Sequence, residues 1–239
     1  MKQFFDRLFQ GTASEYHNIL KEHLIKEERL FLVTANPEAF MLGETDPQMA
    51  ELLMDEDTAM VADAIGLVKG GRMLGVHLAE RIPGVEIAEK LMEYGSQYGK
   101  SIFLLGAKQD VLDALCSVIY TKYPNLRICG AVNGYVPDKD AVFEDIKKAQ
   151  PDIILVALGM PAQEKLIYKH IRDFQKGIFV GVGGSFDVLS GTKQRAPDFF
   201  IKHNLEWFYR LAKEPSRIKR FYNGNVKFLF ALNKEKKNT

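Results

Sequence analysis

Six short apolar runs, separated by stretches of helical periodicity, restrict what this chain of 239 residues can become. They cover residues 30–35, 59–62, 101–105, 127–132, 152–157 and 177–181, and each opens into a turn carrying Gly, Asn, Thr or Asp. Strands that alternate with helices in this way build a parallel sheet covered on both faces, joined by right-handed crossovers. The expected fold class is therefore α/β with a mostly parallel sheet. Residues 1–29 read as one or two amphipathic helices that pack on it, and further helices are expected through Phe40, over 49–54, over 85–98 and over 138–149.

In such a sheet ligands bind in the crevice outside the carboxyl ends of the strands, so the residues at strand ends are the candidates. The segment 152–187, DIILVALGMPAQEKLIYKHIRDFQKGIFVGVGGSFD, would bring two glycine turns, Gln163 and Asp187 to one crevice. Thr34 and Asn36 stand at the end of the first run, and Asp63 ends the second. A carboxylate where a buried strand opens into a loop loses water, which favours accepting a proton; Asp before an apolar periodic run is equally an ordinary helix N-cap. Lys69 and Arg72 read as a basic loop, and Arg81 guards the start of the helix over 85–98, where a guanidinium can bind phosphate or carboxylate. Gly106 follows the third strand and lets an anion or a ribose approach a helix N-terminus. Tyr135, after Asn133-Gly134, is an aromatic able to lie against a base or sugar.

Other chemistries lack their residues. The two cysteines, Cys116 and Cys129, read as small buried hydrophobes, and the five histidines have no HxxxH or HExxH spacing. Two DxD patterns occur, Asp55-Glu56-Asp57 before a strand and Asp138-Lys139-Asp140 at a helix start, neither of them where a strand-end site would need a metal. No metal site and no cofactor is expected. GxGxxG, Walker A, GxSxG and CxxC are all missing, which argues against NAD-linked oxidoreductases, P-loop ATPases, serine hydrolases and dithiol redox proteins. No apolar run approaches the length of a spanning helix and the N-terminus has no secretory pattern, so a cytoplasmic address is expected.

Charge divides the chain. From Arg195 onward there are eleven Lys or Arg against four acids, whereas the residues before it carry 21 basic and 27 acidic groups. The division suggests a body over 1–194 and a basic appendage over 195–239, rich in aromatics such as Trp207, Phe208, Tyr222 and Phe230. Such a segment suits an anionic partner, whether membrane surface, nucleic acid or phosphorylated substrate, and basic helices with aromatic anchors lie in membrane interfaces.

Thr34-Ala-Asn36-Pro37-Glu38, Asp63, Arg81-x-Pro-Gly84, ALGMPAQEK (157–165), GVGGSFDVLSG (181–191), Arg195-Ala-Pro197 and Glu206-Trp207-x-x-Arg210 together resemble the WecG/TagA/CpsF family of bacterial glycosyltransferases, over roughly residues 30 to 220. The resemblance implies a Rossmann-like body with a C-terminal appendage that covers the active site at the inner leaflet of the cytoplasmic membrane. It implies inverting transfer of a sugar, N-acetylmannosamine or a related hexose, from a UDP donor to a polyprenyl-diphosphate-linked GlcNAc acceptor in cell-surface polysaccharide or teichoic acid synthesis, without a required metal. Nucleic acid drops out as a partner, and a homo-oligomer stays open. Carried over by motif, Asp63 is the general base, Thr34, Asn36, Arg81 and Gln163 contact donor sugar and acceptor, and Tyr135, Asp187 and Gly106 lie at the nucleotide end. Arg195, Arg217 and Arg220 would meet the departing diphosphate or the membrane. One departure stands out: the family pattern places Gly after the aspartate, whereas Ala64 follows Asp63 here, and a methyl there would alter the turn or crowd the sugar. A non-catalytic UDP-sugar-binding subunit of the same fold is the alternative.

Overall fold

The computed structural model of the protein describes residues 1–214 and 218–238. Two helices, α1 (Lys2–Asp6) and α2 (Ala13–Lys26), precede strand β1 (Arg29–Ala35), and α3 (Pro37–Thr45) with α4 (Pro47–Met54) lead to β2 (Thr58–Ala62). Next come α5 (Ile65–Met73), α6 (Gly84–Gln97), β3 (Ser101–Gly106), α7 (Gln109–Lys122), β4 (Arg127–Val132) and α8 (Lys139–Ala149). Then follow β5 (Ile153–Ala157), α9 (Ala162–His170), β6 (Gly177–Gly181) and α10 (Ser185–Leu189). The appendage carries α11 (Asp198–Lys202), α12 (Glu206–Lys213), α13 (Ile218–Phe221), a π-helical turn (Tyr222–Val226) and α14 (Lys227–Asn238).

Local signals explain the helix starts. Thr12 and Glu15 form a capping box before α2, while Asn36 and Asp46 cap α3 and α4, each followed by proline at the first helical position. The six strands pair in the order β2-β1-β6-β5-β3-β4, and every pairing is parallel. β3, β5 and β6 are buried along their whole length, as near-continuous apolar runs in a covered parallel sheet should be. β4 lies at one edge and is partly exposed.

Alternate strand residues feed two cores. Phe31, Val33 and Phe179 face α1, α3, α4, α5, α8, α9 and α14, whereas Leu32, Leu104 and Val180 face α2, α6, α7 and α10. After β1 the chain therefore turns to one face and after β6 to the other, and the same reversal separates β3 from β5. Each reversal splays the following loops apart and leaves a crevice at the carboxyl ends of the strands, which is where doubly wound sheets bind ligands.

Several expectations change. Lys69 and Arg72 stand on α5, not in a loop. Gly70 on the same helix carries no side chain because one there would strike Leu232 at 2.8 Å and Phe5 at 3.1 Å. Ala64 has φ −106, an ordinary extended value, so the methyl does not disturb the turn. Cys116 and Cys129 are half-buried rather than buried, and Cys129 Sγ donates to the Ile102 carbonyl. The appendage also enters the core: Phe228 and Leu232 of α14 are buried, with the Phe228 ring against Phe5 and Phe40. Among the described residues, no helix is long and apolar enough to cross a membrane.

Candidate active site

Asp63 stands where β2 ends, beside the carboxyl end of β1, the neighbour of β6. Its backbone N–H donates to the Ala35 carbonyl at 2.8 Å, continuing the sheet by one residue, and the Ile82 N–H does the same to Ala62 at 2.7 Å. The side chain does not cap α5, which starts after Ala64 with no side-chain cap. Instead Asp63 Oδ1 accepts the N–H of Gly84, the first residue of α6, at 3.0 Å. The carboxylate is thus aimed by the positive end of a fourteen-residue helix, a placement that favours negative charge. Gly84 packs so near that an added Cβ would meet Thr34 Oγ1 at 3.1 Å. Thr34, itself buried, donates to the Gly181 carbonyl at 3.2 Å. Asn36 uses its Oδ1 to cap α3 through the Ala39 N–H at 3.0 Å. Asp63, Thr34, Asn36, Gly84 and the β6 turn therefore form one constellation.

Gln163 lies beneath the crevice rather than open within it. It is 4 % exposed, its Oε1 accepts from both Gly159 and Gly183 at 3.0 Å, and its Nε2 donates to Glu164. One amide thereby ties the turns after β5 and β6 together. Gly181 must lack a side chain, since a Cβ would fall 2.6 Å from Gln163 Nε2. Asp187 belongs to α10, and Lys193 bridges it to Glu214 of the appendage.

The second mouth, between β3 and β5, gathers other residues. Gly106 has φ +132, and a Cβ would lie 2.3 Å from the Ala157 carbonyl, so only glycine fits. Gly134 N–H donates to the Ala107 carbonyl, which draws the β4 turn over the same opening. Tyr135 beyond it is 73 % exposed.

The appendage is tied to α6 and to the loop before it through a chain of charges. Arg195 donates to Glu86 Oε1 of α6 at 2.7 Å and lies 3.9 Å from Glu206 Oε1; Glu206 Oε2 in turn is 3.7 Å from Arg81. Burial opposes the Arg195 charge, but Glu86 and Glu206 outweigh it and hold its proton more firmly than usual. Arg195 is thus engaged in fastening the appendage to α6. Arg220 lies in α13, and Arg217 falls outside the described residues.

Comparison with known proteins fits this arrangement. A model described as "Glycosyl transferase WecG/TagA/CpsF family" matches residues 4–239. The chain belongs to this family. The relatives similar to this glycosyltransferase include the N-acetylglucosaminyldiphosphoundecaprenol N-acetyl-beta-D-mannosaminyltransferase of Bacillus subtilis (strain 168), 38% identical over 95% of this chain and 89% of the relative. Proteins of the same name from Bacillus spizizenii (37% identical, 83% and 77% covered) and Staphylococcus aureus strain MW2 (36%, 87% and 81%) are also similar.

Both DxD patterns of this family member are engaged elsewhere. Asp55 binds Tyr168 and Arg172, Asp57 lies 3.5 Å from Arg29, Asp138 caps α8, and Asp140 binds Lys169 and His170. Three parts of the site escape a motif reading: the Gly84 N–H, the staple role of Gln163, and the Glu86–Arg195–Glu206–Arg81 series. The sequence offered a signal only for the first, because Gly directly after Pro marks a helix start whose amide is free to bind a side chain.

Proposed function

We infer that this glycosyltransferase moves a sugar, N-acetylmannosamine or a related hexose, from a UDP donor to a polyprenyl-diphosphate-linked GlcNAc acceptor, with inversion at the anomeric carbon. The relatives named above carry that acceptor and that sugar in their names. The observation that carries the reading is the Asp63 carboxylate, held by the Gly84 N–H at the carboxyl end of β2 beside β1.

Asp63 takes the proton of the acceptor hydroxyl as its oxygen attacks the anomeric carbon from the face opposite the diphosphate. The bond to UDP breaks and its electron pair leaves with the diphosphate. Thr34, Asn36 and Arg81 surround the reacting sugars, and Gln163 keeps the turns beneath them in place, so the reactants meet in line. Charge developing on the leaving group is met by the backbone N–H groups of the glycine turns, joined by Arg217 and Arg220 of the appendage. Tyr135, Asp187 and Gly106 serve the nucleotide. The appendage exposes Phe199, Trp207, Phe208, Ile218 and Tyr222 beside its basic residues, which supports docking on the inner face of the membrane where the lipid acceptor resides.

The test is incubation with a panel of UDP-sugars and a short-chain GlcNAc-diphospholipid, followed by the mass of the product. Asp63→Asn keeps an oxygen for the Gly84 N–H, so folding and UDP binding stay, while turnover falls by roughly 10²–10⁴. A variant working within about tenfold of wild type removes Asp63 from the role of base.

A further inference from the structure

Phe221 before the π-helical turn and Lys227 after it both have helical backbone angles, so α13, the turn and α14 wind on as one helix. An α-helix advances about 100° per residue, which puts residues seven apart on one face. The five residues of the π-turn wind less, so the helix before it is rotated by roughly a quarter-turn relative to the helix after it. Phe221 and Phe228 express that difference. Phe228 is buried against Phe5 and Phe40, whereas the Phe221 ring stacks on Trp207 of α12, with centroids 5.0 Å apart and planes 15° from parallel. Gly224, in the middle of the turn, is buried, and an added Cβ would lie 3.2 Å from Glu38 Cβ and 3.5 Å from Glu38 Cα. The turn therefore rests on the first turn of α3, which Asn36 caps through the Ala39 N–H. Gly66 of α5 meets the same segment, where an added Cβ would come 3.2 Å from Pro37 Cγ. Asn36-Pro37-Glu38 is thus in contact with the helix that follows Asp63 and with the appendage.

We propose that Gly224 is a positioning residue for the transfer reaction: by resting on the first turn of α3 it seats the π-helical turn beside Asn36, and the extra residue of that turn sets the direction in which α13 and α12 meet the body. The proposal rests on the glycosyl-transfer reading for its reaction. The body side of the helix is fixed by Phe228 and Leu232 in the core, and the far side is read out by Phe221 on Trp207. A regular α-helix through the same residues would turn Phe221 off the Trp207 ring and carry α12 away with it.

The test uses the full chain and its single tryptophan, Trp207, as an optical reporter of the Phe221 stack. Deleting Asn223, exposed on the turn, gives the helix the residue count of an uninterrupted α-helix while Phe228 and Leu232 keep α14 in the core. Trp207 emission should then shift to the red and acrylamide should quench it more strongly, and kcat for transfer to the lipid acceptor should drop by about tenfold or more. Gly224→Val pushes the turn off Glu38 and should move both readouts in the same direction. Asn223→Ala keeps the residue count and should move neither. Unchanged Trp207 emission and quenching in the deletion variant overturns the proposal, and so does wild-type turnover in a variant whose tryptophan has been freed. If the deletion variant does not fold, Gly224→Val decides on the same two readouts; a lowered melting temperature with wild-type kcat would make Gly224 a packing residue only and overturn its positioning role. Optical changes in a protein whose wild type forms no glycosylated lipid would leave the seating of the appendage standing and remove the glycosyl-transfer reading.

Discussion

Replacing Gln163 by alanine separates a staple from a sugar contact. The substitution takes the acceptor away from two backbone N–H groups at once, those of Gly159 and Gly183, each now held at 3.0 Å. A buried donor left without a partner costs about 1–3 kcal/mol. Both glycines are only half-buried, so water satisfies part of the demand, and a net loss of about 2–4 kcal/mol follows. For a chain of this size that lowers the melting temperature by about 5–15 °C. The assay is differential scanning calorimetry beside steady-state transfer. Both should fall together, because the freed turns no longer frame the crevice. Gln163→Glu sharpens the result: its carboxylate would stand next to buried Glu164, where Nε2 now lies 2.8 Å from Oε1, so its stability should improve as falling pH protonates the pair. A Gln163→Ala protein that melts within about 1 °C of wild type yet has lost transfer refutes the staple and restores a direct sugar contact.

Two more outcomes are open to measurement. Arg217→Ala combined with Arg220→Ala should lower turnover by about 10²-fold or more with little change in melting temperature, and unchanged turnover would sink their role at the leaving group. At the opposite end of the sheet, burial opposes the charge of Asp152, yet Ser101 and Lys176 bind it and hold its carboxyl below the ordinary 3.8. Its contribution is therefore complete above that value and is lost as pH falls through the lowered one. Asp152→Asn should cost about 1.5–3 kcal/mol at neutral pH, a deficit that shrinks below about pH 4; a constant deficit in acid melts would contradict the assignment.

The sequence made the parallel sheet legible because six apolar runs ending in turn residues admit few other folds. Strand-end logic also located Asp63, Thr34 and Asn36, and the structure brings these together. Less accessible was whatever depends on a partner distant in the chain. Lys69-Gly70-Gly71-Arg72 looks like a loop until α14 and α1 press against Gly70, a constraint more than 150 residues away. Gln163 reads as an exposed polar residue in a turn motif, and only the approach of the β6 turn turns it inward. The carboxylate of Asp63 finds its donor twenty-one residues on, at Gly84, a pairing that periodicity does not encode.

Phe228 and Leu232 sit in the core while Glu206 stands 3.7 Å from Arg81, so the appendage is fastened to the body at two separate places. Two attachments make every contact between appendage and body an intramolecular event, set by the tether and not by the amount of protein present. Removing α14 would release one attachment without altering a residue at the strand ends.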